Sequence, residues 1–307
     1  MSAQNTRVLP YGPEAIAEAA RLIAVGEVVA VPTETVYGLA ADAASGQAVA
    51  RIYEAKGRPA FNPLIVHVNN LDQARAIAHF EAAAEALART HWPGPLTLVL
   101  PLRAGAPVAS LVTAGLPTIA LRAPAHPAMQ NLLEAFGRPL AAPSANASGR
   151  LSPTSAAHVL AGLGGRIPLI VDGGPTGHGL ESTIVALTGG APRLLRPGPI
   201  DLGLRLDSGV GVESPGRLAS HYAPSKPLRL DATEADADEW LIGFGAVAGD
   251  ATLSSLGDLV EAAANLFQRL HESEAAAAAR IAVAPIPGDG LGAAINDRLR
   301  RAAAPRA

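Results

Sequence analysis

The sequence predicts an α/β protein with a twisted mixed sheet and a cleft, followed by a smaller C-terminal α/β unit. Three observations point there. Short apolar runs alternate with stretches of helical period along residues 13–200. Several of those runs follow one another too closely for a helical crossover, so parallel and antiparallel pairs have to mix. After a Gly-, Ser- and Pro-rich stretch at 207–227 the pattern restarts on a smaller scale. The expected division is 1–206, a linker at 207–227, and 228–307.

Each element has a local reason. Pro13 opens a helix over 13–25, Ile16, Ala20 and Ile23 share its face, and Gly26 closes it. Residues 28–31 are a β-branched run stopped by Pro32. Ser45 caps a helix over 45–55, and 64–68 is a strand. An Ala-rich amphipathic helix is expected over 72–90, then strands at 96–100 and 118–122. A helix at 127–136 leads to a strand at 139–142. Ser152 or Thr154 caps a helix over 154–163, and strands follow at 169–171, 183–187 and 193–195. In the smaller unit strands are expected at 228–230 and 242–247, and helices at 255–271, 274–280 and 291–303. The alanine tract 275–279 has high helix propensity.

Composition narrows the function. Charged residues are 17% and hydrophobic ones 49%, which supports a real core rather than disorder. A net charge of −3 argues against a whole-surface nucleic-acid binder but leaves room for a local basic pocket. Without cysteine, disulfides, thiolate metal sites and a cysteine nucleophile are excluded. No apolar run approaches a membrane span and the N-terminal stretch has no signal-peptide core, so a soluble, cytoplasmic protein is expected. Neither lysine, Lys56 or Lys226, follows a glycine, so there is no P-loop. Kinase loops, the dinucleotide fingerprint, HExxH and CxxC are missing as well.

Polar groups instead gather around short apolar strands. PTETVYGLAAD (32–42) sets Thr33, Glu34 and Thr35 at a strand tip, or forms a turn that caps a following helix. KGRPAFNPLIVHV (56–68) places Lys56 and Arg58 on one loop, an arrangement suited to a polyphosphate. Asn62 follows, and His67 interrupts the strand. In TIALR, period two puts Thr118, Ala120 and Arg122 on one face, and Arg122 suits a carboxylate or a surface acid. AAPSANASGRLSPT (141–154) crowds Ser144, Asn146, Ser148 and Ser152 before a helix, where phosphate is favoured. ESTIV brings Glu181 and Ser182, and LLRPGP brings Arg196. Each motif alone reads equally as an ordinary turn, loop or core residue. Together, Lys56, Arg58, Arg122 and Arg196 in an acidic chain point to one local anion site.

These motifs, with WPGPLTLVL and DGGPTGHGLESTIV, resemble in order and spacing the YrdC-like domain of the threonylcarbamoyl-AMP synthase family over residues 10–200. SPGRLASHYAPSKP resembles the linker of the family's long form, and GDGLGAAINDRLRRA its C-terminal region. The resemblance implies a Rossmann-like second domain. It also implies that L-threonine, bicarbonate and ATP give threonylcarbamoyl-AMP and pyrophosphate, with Mg²⁺ on the phosphates. A separate tRNA threonylcarbamoyl transferase complex then modifies adenosine in tRNAs reading ANN codons. Carried over residue by residue, Thr35, His67, Arg122, Ala142 and Ser182 would surround threonine. Arg58, Asn62, Thr118, Ser144, Ser152, Arg196 and Tyr222 would surround ATP. Lys56 and Arg58 would be the catalytic cations, and His67 a weak candidate for a base. Phe61 stands where a shorter relative has serine and receives no role. Tyr222 would make the linker a lid over the nucleotide. Competing readings are a double-stranded-RNA binder, a carbamoyltransferase of the hydrogenase-maturation type and a non-catalytic nucleotide sensor. Acidity and few aromatics weigh against the first, and missing cysteines against the second. Direct nucleic-acid binding is therefore expected to be weak or absent.

Overall fold

In a computed structural model, residues 5–59, 62–207 and 221–305 are described. The chain runs β1 (Arg7–Pro10), α1 (Pro13–Ala24), β2 (Val29–Pro32), β3 (Tyr37–Asp42), α2 (Gly46–Lys56) and β4 (Ile65–His67). It continues through α3 (Leu71–Arg75), α4 (Ala82–His91), β5 (Leu96–Pro101), α5 (Ser110–Thr113) and β6 (Thr118–Arg122). Then come α6 (Pro127–Phe136), β7 (Leu140–Ala141), α7 (Ala156–Leu163), β8 (Leu169–Asp172), β9 (Thr183–Ala186) and β10 (Arg193–Arg196). These strands form one mixed sheet in the order β1-β8-β2-β3-β7-β4-β6-β5-β9-β10. The mixture is as expected: β4–β6 and β5–β9 are parallel, whereas β2–β3 and β5–β6 are antiparallel.

A second, smaller sheet follows. It contains β11 (Leu228–Arg229), β12 (Glu239–Gly243), β13 (Ala251–Thr252) and β14 (Arg280–Val283), with α8 (Leu259–Ala275) and α9 (Leu291–Ala303). Its order is β11-β14-β12-β13 and every pair is parallel.

Several local rules act as expected. Pro13 stands at the first turn of α1, and the Ser45 side chain accepts from the Ala48 amide to cap α2. Other expectations change. PTETVYGL turns a β2–β3 hairpin instead of capping a helix, so β3 is a strand the sequence reading lacked, as are β1 and β14. The helix expected over 72–90 is two helices. Between them Ile77 and Ala78 are fully buried and Ala78 bridges to Leu102, so strand-like pairing wins over alanine propensity. The helix expected at 274–280 is absent. The Ala279 and Arg280 amides bond instead to the Asp238 carbonyl, and Arg280 starts β14. The small sheet's strand expected at 242–247 is Glu239–Gly243, and the cap of α7 is Ser155 rather than Ser152 or Thr154.

The large sheet is covered unequally, and this places the site. One face packs its strand residues on α2, α4, α5 and α7 in a single core that includes Ile52, Ala88, Val112 and Val159. On the opposite face α1 and α6 cover the strands near β2 and β8. Farther along that face Ile65, Val99, Ala120, Ile184, Ala186 and Leu195 form a small separate apolar patch. A third cluster joins Val36, Leu151 and Leu180 of the large-sheet part to Tyr222, Phe267, Ile281 and Leu299, so the two sheets share one core.

Across that junction His158 of α7 stacks on His271 of α8, with ring centroids 3.7 Å apart and planes 16° from parallel. Burial first, then the neighbouring His271 ring, pulls the His158 pKa down to about 4; burial lowers His271 too. Glu272 and Glu274 nearby oppose the shifts without reversing them. Both rings therefore take up protons less readily when folded than in the unfolded chain, where histidines titrate near pH 6.5. Stability is lost as pH falls from 6.5 towards 4. His158→Phe keeps the stack and removes one titrating group. It is expected to lose about 1 kcal/mol less than the parent over that window, after allowing for solvent screening of a half-buried ring. Denaturant melts at pH 6.5 and 4.5 check this, and an unchanged pH dependence would refute it.

Candidate active site

Alternation along the strands decides which side chains meet. Ile65 and His67 of β4, Ala120 and Arg122 of β6, and Ser182 just before Ile184 of β9 point to the face with the small apolar patch. His67 pairs directly with Arg122 across the parallel β4–β6 ladder. Arg196 would face away by strict alternation, because Leu194 pairs with Val185 on the core side. A register shift between Leu194 and Arg196 sets Arg196 opposite Ile184 instead, a β-bulge that aims the guanidinium at the same cavity. The polar groups thus line one sheet face and stand at strand ends as the sequence suggested: His67, Arg122 and Arg196 end β4, β6 and β10, and Ser182 immediately precedes β9.

The resulting cleft is open to solvent. Of the expected residues, Thr35, Arg58, His67, Arg122, Ala142, Ser144, Ser182, Arg196 and Tyr222 line it. Thr33, Glu181 and His221 join them. Lys56, Asn62, Thr118 and Ser152 are not in its wall. Thr118 stands four residues before Arg122 at the other end of β6. Ser152, fully buried, gives its hydroxyl to Glu181.

Arg122 is held on three sides. Its Nη2 reaches Glu34 Oε1 at 2.5 Å, Nη1 reaches Thr35 Oγ1 at 2.9 Å and Nε reaches the Gly94 carbonyl at 3.1 Å. Burial pushes the Glu34 carboxyl up, but the Arg122 charge and hydrogen bond outweigh it and keep Glu34 below the usual range. His67 is neutral: burial first, then Arg122, lowers its pKa to about 3.

The cations of the 56–62 turn separate into two roles. Gly57 ends α2 with φ 60°, a left-handed residue that turns the chain back. Arg58 then folds on the Asn62 and Pro63 carbonyls, at 3.3 and 3.0 Å, and faces the cleft. Lys56 points the other way, contrary to the expected cation pair. Its Nζ donates to the Ser144 and Asn146 carbonyls at 2.5 and 2.6 Å and to Asn146 Oδ1 at 3.2 Å. All three ammonium donors are thereby used in fixing the Ser144 loop. Burial, then Arg58, pulls the Lys56 pKa well down. Phe61 lies outside the described residues.

Tyr222 closes another wall. Its φ is +60°, uncommon for a non-glycine residue, and the surroundings hold it there. His221 N–H donates to the Arg301 carbonyl at 3.2 Å, Ala223 N–H donates to the Gly149 carbonyl at 2.8 Å, and Phe267 lies beside the ring. Residues 208–220 of the expected lid lie outside the described residues.

Two features mark the cleft as a binding site. Arg58 and Arg196 are 8% and 5% exposed, yet among the described residues neither makes an ion pair. Arg196 donates to Ser182, through Nε to its carbonyl and Nη2 to its hydroxyl, each at 3.0 Å. Burial lowers both guanidinium pKa values, that of Arg58 to about 10, and both groups stay charged at neutral pH. The second feature is that, of the seven buried side-chain polar atoms without partners among the described residues, five cluster here: Glu34 Oε2, Asn62 Oδ1, His67 Nδ1, His221 Nδ1 and the Tyr222 hydroxyl. All belong to the cleft wall or to residues bonded to it. Buried polar groups are normally satisfied, so orphans gathered in one place point to a ligand with both anionic and polar parts.

Comparison with known proteins agrees. A family profile described as "Telomere recombination" matches residues 21–198, and one described as "Threonylcarbamoyl-AMP synthase, C-terminal domain" matches residues 203–304. A threonylcarbamoyl-AMP synthase of Pyrococcus abyssi is 41% identical over 92% of both chains. The chain belongs to the threonylcarbamoyl-AMP synthase family. It is an enzyme of that family, in the long form with the second domain. The Bacillus subtilis threonylcarbamoyl-AMP synthase is 48% identical over 70% of this chain and 66% of its own. A crystal structure of P. abyssi Sua5 complexed with L-threonine superposes with a TM-score of 0.88 at 39% identity, over 97% of each chain.

The Glu34–Arg122 pair yields a stability prediction. Glu34→Ala leaves Arg122 buried with its charge uncompensated and should cost about 3 kcal/mol or more in urea unfolding. A loss below about 1 kcal/mol would mean that Glu34 does not hold Arg122.

Proposed function

We propose that the cleft binds L-threonine, bicarbonate and Mg²⁺-ATP and forms threonylcarbamoyl-AMP with release of pyrophosphate. The observation that carries this is the pair of buried, acid-free guanidinium groups, Arg58 and Arg196, set beside an arginine already tied to an acid, Arg122. The two kinds of cation suit two kinds of anion. Arg122, with Thr35, would grip the threonine carboxylate, while Arg58 and Arg196 would lie against the triphosphate, with Ser144 and Tyr222 nearby. Mg²⁺ would arrive with the nucleotide as part of the substrate, bridging phosphate oxygens.

The chemistry balances without a dedicated base. The threonine amine and bicarbonate give a carbamate and water. A carbamate oxygen then attacks the α-phosphorus, the bond to the β-phosphate oxygen breaks, and pyrophosphate leaves. Two anions have to meet, so neutralising charge and fixed geometry supply the rate. His67, with a pKa of about 3, is far too weak a base at neutral pH and would serve as a neutral hydrogen-bonding group on threonine. Lys56 would act behind the site by shaping the Ser144 loop.

In this reading residues 1–206 form the catalytic domain, 207–227 a lid carrying Tyr222, and 228–307 the second domain. The mixed anhydride would pass to a tRNA threonylcarbamoyl transferase complex in the cytoplasm, with no direct tRNA binding needed here. Among the described residues no helix is long and apolar enough to cross a membrane.

The test is pyrophosphate release from Mg²⁺-ATP with threonine and bicarbonate each supplied or omitted. Release that requires both is expected; release independent of threonine would sink the proposal. Arg58→Ala should weaken ATP at least about tenfold and leave threonine nearly unchanged, and Arg122→Ala should do the reverse, since a charged hydrogen bond contributes about 1.5–3 kcal/mol. Identical losses for both ligands in either variant would contradict the division of roles.

A further inference from the structure

One fully buried arginine serves the cleft from the other domain. Arg298 of α9 has no solvent exposure and sits at the centre of the junction. Its Nε donates to Glu181 Oε2 at 2.8 Å and its Nη2 to the Glu181 carbonyl at 3.3 Å. Its Nη1 donates to the Pro197 carbonyl at 2.7 Å and to Asp297 Oδ2 at 3.1 Å. The guanidinium carbon lies 5.4 Å from the centre of the Tyr222 ring. Four of its five N–H donors are thus taken by protein groups, and Arg298 does not line the cleft. It touches instead Glu181 and Tyr222, which do, and Pro197, the residue after Arg196.

We propose that Arg298 is a positioning residue for the nucleotide half of the cleft, so that the second domain completes the active site by this one side chain. The inference rests on the nucleotide reading given above. Arg298 ties together the start of β9 and the end of β10, the two stretches that aim Ser182 and Arg196. Its bond to Glu181 also fixes the carboxylate that receives Ser152. The planar fork makes this possible: its three nitrogens reach two backbone carbonyls and two carboxylates at once, which an ammonium cannot reproduce. Thr35, in the β2–β3 turn, and His67 and Arg122, on β4 and β6, have no contact with Arg298, so the threonine half, Ser182 apart, stands without it.

The experiment measures ATP and threonine affinity of the full chain by titration calorimetry, at a temperature where circular dichroism shows each variant folded. Arg298→Lys and Arg298→Met are expected to weaken ATP at least about tenfold while threonine changes by no more than about threefold. Arg229→Gln is the control, because it strips a partner from buried Glu239 in the same domain but far from the cleft; it should leave both affinities alone. The double variant Arg298→Met/Glu181→Gln removes the uncompensated charge and should regain thermal stability without regaining ATP affinity. The proposal is overturned if the folded Arg298 variants bind ATP like the parent. It is also overturned if both ligands weaken together, as a general loosening would produce, or if the double variant recovers ATP along with stability. If the unaltered chain itself binds no ATP, the nucleotide reading fails first and this inference with it, an outcome distinct from the others.

Discussion

Four buried guanidinium groups, Arg58, Arg122, Arg196 and Arg298, set the constraint on which the rest of the structure depends. A charge cannot be left in an apolar interior without partners, so the surrounding backbone has to bend to provide them. Two of the four take an acid: Arg122 has Glu34, and Arg298 has Glu181. The other two rest on neutral oxygens alone. That difference turns a polar interior into a site, because the acid-free pair retains the attraction for an anion that the other pair has already satisfied. The irregular features follow from the same need. The left-handed Gly57 brings Arg58 back over its own loop, and the bulge in β10 turns Arg196 to the cleft.

The gathering of the arginines was legible in the sequence because charge is scarce there and arginines flank apolar runs. Arg58, Arg122 and Arg196 are brought together as the residues suggested. What the pattern could not show is direction. Alternation sends Arg196 to the core face, and only the inserted bulge reverses it, while nothing in LLRPGP marks that extra residue. Lys56 and Arg58 sit two apart and read as one cation pair, yet a single αL residue between them separates their directions. PTETVYGL has both turn and helix-cap residues, and the hairpin wins because Tyr37–Asp42 pairs on both sides, with β2 and β7. These are tertiary outcomes that local propensity does not contain.

The smaller domain was the least readable part for a related reason. Its alanine tract favours helix, but the Asp238 carbonyl takes the Ala279 and Arg280 amides and pulls the chain into β14. Arg298 sits in a run of arginines that looks like a solvated helix face. Its burial depends on the docking of α9 against residues more than a hundred positions earlier, and only the spatial arrangement reveals it. The one sequence signal was the GDGLGAAINDRLRRA stretch, which resembles the family's C-terminal region without naming a role for any residue in it.

In the proposed reaction, placing the catalytic effort in cations rather than in a base would also explain why the cleft draws on residues of both sheets' surroundings. A carbamate and a triphosphate repel, and the carbamate returns to amine and carbon dioxide if it waits in water. Speed then depends on assembling charge and excluding solvent together. Rigid strands supply the first: His67, Arg122 and Ser182 stand on or beside ladders whose hydrogen bonds hold them. A wall that has to admit a large nucleotide cannot belong to that same rigid sheet. Here it is made by Tyr222, strained at φ +60° and held by contacts from α8, α9 and the Gly149 loop. Such a residue is kept in place by its neighbours rather than by its own backbone preference. The sheet face and this wall meet at Glu181, where Ser152 and Arg298 bond the two oxygens of one carboxylate.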